Sequence, residues 1–121
     1  MPRIVHFEIP VDNVDRAIKF YSSVFGWKIE KWGPQDYWLI KTGQEGQPGI
    51  DGAIMKREAP TNVTVNTIDV PSLEEYLTKV TKSGGKILTS KTTIPGVGYF
   101  AYCQDTEGNA FGVLQSDESA K

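Results

Sequence analysis

Cysteine and histidine are nearly missing from this chain. Cys103 is the only cysteine in 121 residues and His6 the only histidine. One cysteine excludes an internal disulfide and points to a reducing, cytoplasmic home. It also reads as a small buried filler rather than a nucleophile, because no second histidine exists to activate it. A marked excess of either charge is missing too. A net charge of −2 provides no electrostatic reason to expect nucleic acid or an acidic membrane as partner, and Lys79, Lys82 and Lys86 read as a solvated helix end. No apolar run approaches membrane-spanning length, and the N-terminus shows no signal-peptide pattern, so neither secretion nor anchoring is expected. Without secretion, the glycosylation acceptor at Asn62-Val63-Thr64 carries no meaning. The glycines of GQEGQPGIDG and IPGVGYF match neither a phosphate loop nor a dinucleotide fingerprint, so they read as turns.

What the chain does contain is an internal repeat. Displaced by 59 positions, Val11 falls on Val70, Ile18 on Leu77 and Gly26 on Gly85. In each half an alternating strand leads into a helix that stops at glycine. The first helix is expected near residues 13 to 25, opened by Asp12 or Asn13, with Val14, Ile18, Tyr21 and Phe25 on one face. The second is expected near 72 to 83. It opens on Ser72 with Glu75 three residues later, a capping box, and carries Leu73, Tyr76, Leu77 and Val80 at helical spacing. After the helices come the strand-like runs WKIEKW, DYWLIK and IDGAIMK, then KILTSK, GYFAYCQ and AFGVLQ. The expectation is α+β: one domain over residues 1–121 built from two βαβββ repeats, approximately 1–58 and 59–118, sharing one core. The closing SDESAK reads as a frayed tail.

Two stretches carry a family resemblance across nearly the whole chain. The opening VHFEIPVDNVDRAIKFYSSVFGWKI and the closing IPGVGYFAYCQDTEGNAFGVLQ resemble the vicinal oxygen chelate superfamily, which includes glyoxalase I, bleomycin-resistance proteins and extradiol dioxygenases. The resemblance implies a curled mixed sheet, a half-barrel around a pocket, with the helices on its convex side. It also implies pairing of chains as a homodimer. In metal-bearing members two ligands come from each repeat, one on the first strand and one on the last.

Of those four positions one holds a competent donor. His6 matches the first. Its partner in the second repeat falls on Val65, or on Val63 if the register moves by two. The closing strand, where the family places glutamate, reads Phe111-Gly112-Val113, and the corresponding strand of the first repeat places Gly52 against Gly112 at a displacement of 60. Asp51 would serve only if the register slipped by one, which turns a side chain to the other face. A divalent ion needs three or four such ligands. No metal and no cofactor are therefore expected.

Strand alternation sets Val5, Phe7, Ile9 and Val11 toward the helix and His6 and Glu8 to the other side. A ligand site is expected there, lined by His6, Glu8, Trp38, Met55, Val63, Val65, Tyr99 and Gly112, with the glycines leaving room for close approach to the backbone. Such a site suits a small, mostly apolar molecule with one or two polar handles. The leading expectation is a metal-free small-molecule binding protein. The alternatives are a divalent-metal lyase or dioxygenase of the glyoxalase type, and a dimeric scaffold with a vestigial cavity. Sequence alone leaves open whether the protein is an enzyme.

Overall fold

Asn13 and Ser72 start the two helices, and both do so with a side-chain oxygen. In the computed structural model, which describes residues 2–58 and 63–121, Asn13 is extended and accepts from the Arg16 N–H at 3.0 Å. Helix α1 then runs Val14–Phe25 and stops at Gly26, whose φ of 72° lies in the left-handed region where a Cβ is penalised. Ser72 accepts from the Glu75 N–H at 3.3 Å and opens α2, Leu73–Lys82. Glu74 and Glu75 in its first turn and Lys79 and Lys82 in its last oppose the helix dipole. Both helices lie within a residue or two of where the periodicity placed them. Neither is long and apolar enough to cross a membrane. Asn62 of the acceptor tripeptide lies outside the described residues.

The chain divides into two compact units: His6–Thr64, and Val65–Lys121 with the N-terminal residues up to Val5. In the first, strands β1 (Arg3–Val11, from His6 on), β2 (Lys28–Lys31), β3 (Tyr37–Lys41) and β4 (Asp51–Lys56) stand in the order β2-β3-β4-β1. β1 and β4 are parallel; the other pairs are antiparallel. Val11, Ile40 and Ile54 are buried on the helix side, with Phe7, Ile9, Val14, Ile18, Tyr21 and Trp38 packed on them. The alternation expected of β1 is confirmed at Phe7, Ile9 and Val11. Phe25, expected on one face with Val14, Ile18 and Tyr21, is 59% exposed and meets the rings of Phe20, Tyr21 and Trp27 at the helix end.

The second unit repeats the plan. Strands β5 (Val65–Asp69), β6 (Lys86–Ile87), β7 (Thr92–Ile94), β8 (Gly98–Gln104) and β9 (Ala110–Ser116) stand in the order β5-β9-β8-β6, and β7 also pairs with β8. β5 and β9 are parallel, like β1 and β4. The short β7 was not expected, and KILTSK contributes only two strand residues. Val70, Leu73, Ala101, Cys103 and Val113 form the core, joined by Tyr76, Leu77 and Val80 of α2. Cys103 is fully buried there, and desolvation raises its thiol pKa, which suits a filler and not a nucleophile. The C-terminus is not frayed. Asp117 N–H donates to Val97 O at 2.8 Å, Gly96 N–H to Ala120 O at 2.9 Å, and Ala120 is buried. Each unit is thus a mixed sheet with one helix on one face, an α+β arrangement.

Candidate functional site

Strand register decides which side chains can meet. In the His6–Thr64 unit, His6 pairs with Asp51, Glu8 with Ala53 and Pro10 with Met55 across the β1–β4 ladder. Across β3–β4, Tyr37 pairs with Met55 and Leu39 with Ala53. Directly paired residues share a face. His6, Glu8, Tyr37, Asp51 and Met55 therefore stand together on the face away from α1.

Three of them are joined. Tyr37 Oη donates to Glu8 Oε2 at 2.7 Å, and His6 Nε2 lies 2.8 Å from the same Tyr37 Oη. The His6 and Tyr37 rings are nearly parallel, 18° apart. Glu8 is 5% exposed, so its carboxylate is held by a hydrogen bond rather than by bulk water. Burial lowers the His6 pKa from its ordinary 6.5, against the opposing pull of Glu8 and Asp51. The imidazole is therefore neutral at neutral pH. Asp51 serves the β3–β4 hairpin: its Oδ1 accepts from Thr42 N–H at 2.9 Å and from the Thr42 hydroxyl at 3.2 Å. A cavity of about 480 Å³ follows that hairpin loop, lined by Lys41, Thr42, Gln44, Glu45, Gln47 and Asp51, and does not lie over His6.

The other expected lining residues separate. Met55 is half-buried on the His6 face. Trp38 is not there: it packs on the core under α1, because it pairs with Ile54 and so takes the helix side. Tyr99 is corrected in the same way, since it packs on the α2 core beside Ala101 and Val113. Val65 and Gly112 are buried on the face of their own unit turned away from α2. Val63 precedes β5, is 55% exposed and belongs to no strand.

A model of the Glyoxalase/Bleomycin resistance protein/Dioxygenase superfamily matches residues 3–113. The chain belongs to this superfamily. It is similar to a glyoxylase-like domain-containing protein of Didymella fabae, 34% identical over 92% of this chain and 91% of that one. A longer relative, the glyoxylase candidate CFP32 of Mycobacterium bovis, is 29% identical over 89% of this chain, which spans 42% of its length. Among solved structures, the methylmalonyl-CoA epimerase of Streptomyces coelicolor superposes with a TM-score of 0.67 at 15% identity, over 98% of this chain and 97% of that one. At that identity the likeness shows the fold.

Register also corrects the reading of the superfamily's ligand positions. Glu8 pairs with Ala53, and Thr67 with Gly112, so both strands of the repeat move by 59 residues. The counterpart of Gly112 is Ala53 and not Gly52. Gly52 pairs with Phe7 on the helix side, where a Cβ would lie 2.6 Å from the Phe7 ring. Gly112 does not open space either: a Cβ there would lie 2.7 Å from the Phe100 ring and 2.9 Å from Thr67 Oγ1. Gly52 is required by the backbone carbonyl and ring of Phe7, Gly112 by the Phe100 ring and the Thr67 hydroxyl, and neither leaves room for a ligand. Valine, alanine and glycine at three of the four positions do not fit a divalent ion. Among the described residues no three His, Cys, Asp or Glu side chains come together closely enough to hold one. Sequence reading missed Tyr37, which lies 31 residues from His6. Its only signal was strand alternation one step out of phase with Trp38.

Proposed function

We propose that the protein binds a small molecule without a metal, using the His6–Tyr37–Glu8 chain as its polar handle and Met55 as adjoining apolar surface. The observation that supports this is the pair of hydrogen bonds at 2.8 and 2.7 Å. They engage His6 Nε2 and a Glu8 oxygen with each other's partner, whereas a chelate needs its donors aimed at one common point. The ligand is mostly apolar with one or two polar groups. We further propose that the protein works in the cytoplasm and as a homodimer, consistent with its composition and with symmetric pairing as the commonest oligomer.

A divalent-metal lyase or dioxygenase is the second reading. His6, Glu8 and Asp51 on one face favour it, but Asp51 is engaged by Thr42. An epimerase of coenzyme A thioesters, after the Streptomyces structure, has the fold alone behind it. A dimeric scaffold with a vestigial cavity is separated from the binding reading by whether any compound binds.

Elemental analysis of protein purified without chelator tests the metal-free reading, and a thermal-shift screen of small molecules tests binding. We expect no stoichiometric metal, and compounds that raise the melting temperature of the wild type more than that of Tyr37→Phe. One equivalent of zinc, nickel, iron or manganese per chain, lost in His6→Ala, would overturn the reading. A screen that finds no stabilising compound would favour the scaffold.

A further inference from the structure

Tyr37 has one hydroxyl proton, and its destination settles the state of His6. The hydroxyl donates to Glu8 Oε2 at 2.7 Å, so toward His6 the same oxygen acts as acceptor. The contact at 2.8 Å then requires the ring proton on Nε2 and leaves the lone pair on Nδ1. We propose that Tyr37 is a positioning residue that fixes His6 as the Nε2–H tautomer, so that Nδ1 is the acceptor for an O–H or N–H of an uncharged ligand. This rests on the metal-free reading above and names the ligand class for that site.

Three further observations agree. No hydrogen bond to His6 Nδ1 is formed among the described residues, so this nitrogen is the end of the chain that remains to be used. The ring is neutral at neutral pH because burial outweighs Glu8 and Asp51. The charges that act on the imidazole, Glu8 on β1 and Asp51 on β4, are both negative. Lys28 and Lys41 share the sheet face, but neither is among the groups that act on it. A carboxylate or phosphate ligand would meet two negative charges and a ring with no proton to offer at Nδ1. A hydroxyl or amide N–H meets an acceptor already oriented. Orientation of an imidazole by a partner on its far nitrogen is a general device. Here a tyrosine stands between the histidine and the carboxylate.

The single histidine makes the test direct, because the ring nitrogens of uniformly ¹⁵N-labelled protein belong to one residue. Chelator-treated protein at pH 8 is expected to show a protonated-type Nε2 and a lone-pair-type Nδ1. Tyr37→Phe should lose that bias and give a mixture of tautomers. Glu8→Gln, whose amide oxygen still accepts from Tyr37, should keep it. A wild-type ring protonated on Nδ1, or a tautomer ratio unmoved in Tyr37→Phe, overturns the positioning role. Wild-type protein is then titrated with phenol, an uncharged donor at that pH, and with benzoate, an anion of the same ring. Phenol is expected to shift the Nδ1 resonance and benzoate to leave it. A shift with benzoate alone, or with neither, overturns the ligand class. Failure of the metal-free reading is separate, as it appears in the elemental analysis before chelator treatment.

Discussion

The two units place different chemistry on the same strand positions. Glu8 and Thr67 are counterparts, each on the first strand of its unit, each opposite the small residue of the last strand, and each almost fully buried. Glu8 accepts a hydrogen bond from Tyr37, a residue that alternation and the β3–β4 register bring beside it. The Thr67 hydroxyl has no hydrogen-bond partner among the described residues, and it stands with the ring of Phe100 against Gly112. One face is therefore polar and internally hydrogen-bonded, and the other is filled by an aromatic. A duplicated backbone preserved the positions, while the neighbours determined whether a buried polar atom there is satisfied.

The two units differ most at Gly112. Restoring the superfamily's carboxylate with Gly112→Glu drives a side chain into Phe100 and Thr67, and should cost at least about 3 kcal/mol in urea unfolding without creating metal affinity. Survival of the fold with tight zinc binding would show that the filled face is adaptable. At Tyr37 the expected loss is smaller. Tyr37→Phe removes both hydrogen bonds and leaves the Glu8 carboxylate buried with less support, for about 1–3 kcal/mol in the same measurement. The counterpart position should respond with the opposite sign. Thr67→Val removes a hydroxyl with no hydrogen-bond partner among the described residues and should be neutral or stabilising by up to about 1 kcal/mol. A clear loss in Thr67→Val would mean that its hydroxyl is satisfied in solution, and the contrast between the units would weaken.

The pH dependence sharpens the polar side and is the smallest effect, because Glu8 and Asp51 partly offset the desolvation of the ring. Folding depresses the His6 pKa, so below the ordinary 6.5 the unfolded chain takes up the proton first. The stabilising difference is complete above 6.5 and is lost as pH falls from there through the folded-state value. His6→Gln should remove this part of the slope, read as the difference between wild-type and variant unfolding curves across that window. A difference that grows in the opposite direction would mean that the folded site holds a charged imidazole.

The backbone plan was legible in the chain because its signals are local. Asn13, Ser72, Gly26 and the alternation of Phe7, Ile9 and Val11 each act over a few residues, and they set the helix bounds and the buried face of β1. Faces failed where two strands had to be compared without knowing their ladder. Gly52 and Gly112 look equivalent by spacing, yet pairing with Phe7 and with Thr67 puts them on different faces of their sheets. Trp38 was expected at the site and Tyr37 stands there for the same reason, since adjacent strand residues differ only in the side to which they point.

By itself the sequence determined the superfamily, the repeat, the helix caps and the identity of the lone histidine, because motif, period and capping chemistry are written in neighbouring residues. Tertiary structure alone decided that His6, Tyr37 and Glu8 form one hydrogen-bonded chain, and that Gly112 makes way for Phe100. Those outcomes depend on register between strands tens of residues apart. Register is set by the total packing of each sheet, which no short stretch of the chain contains.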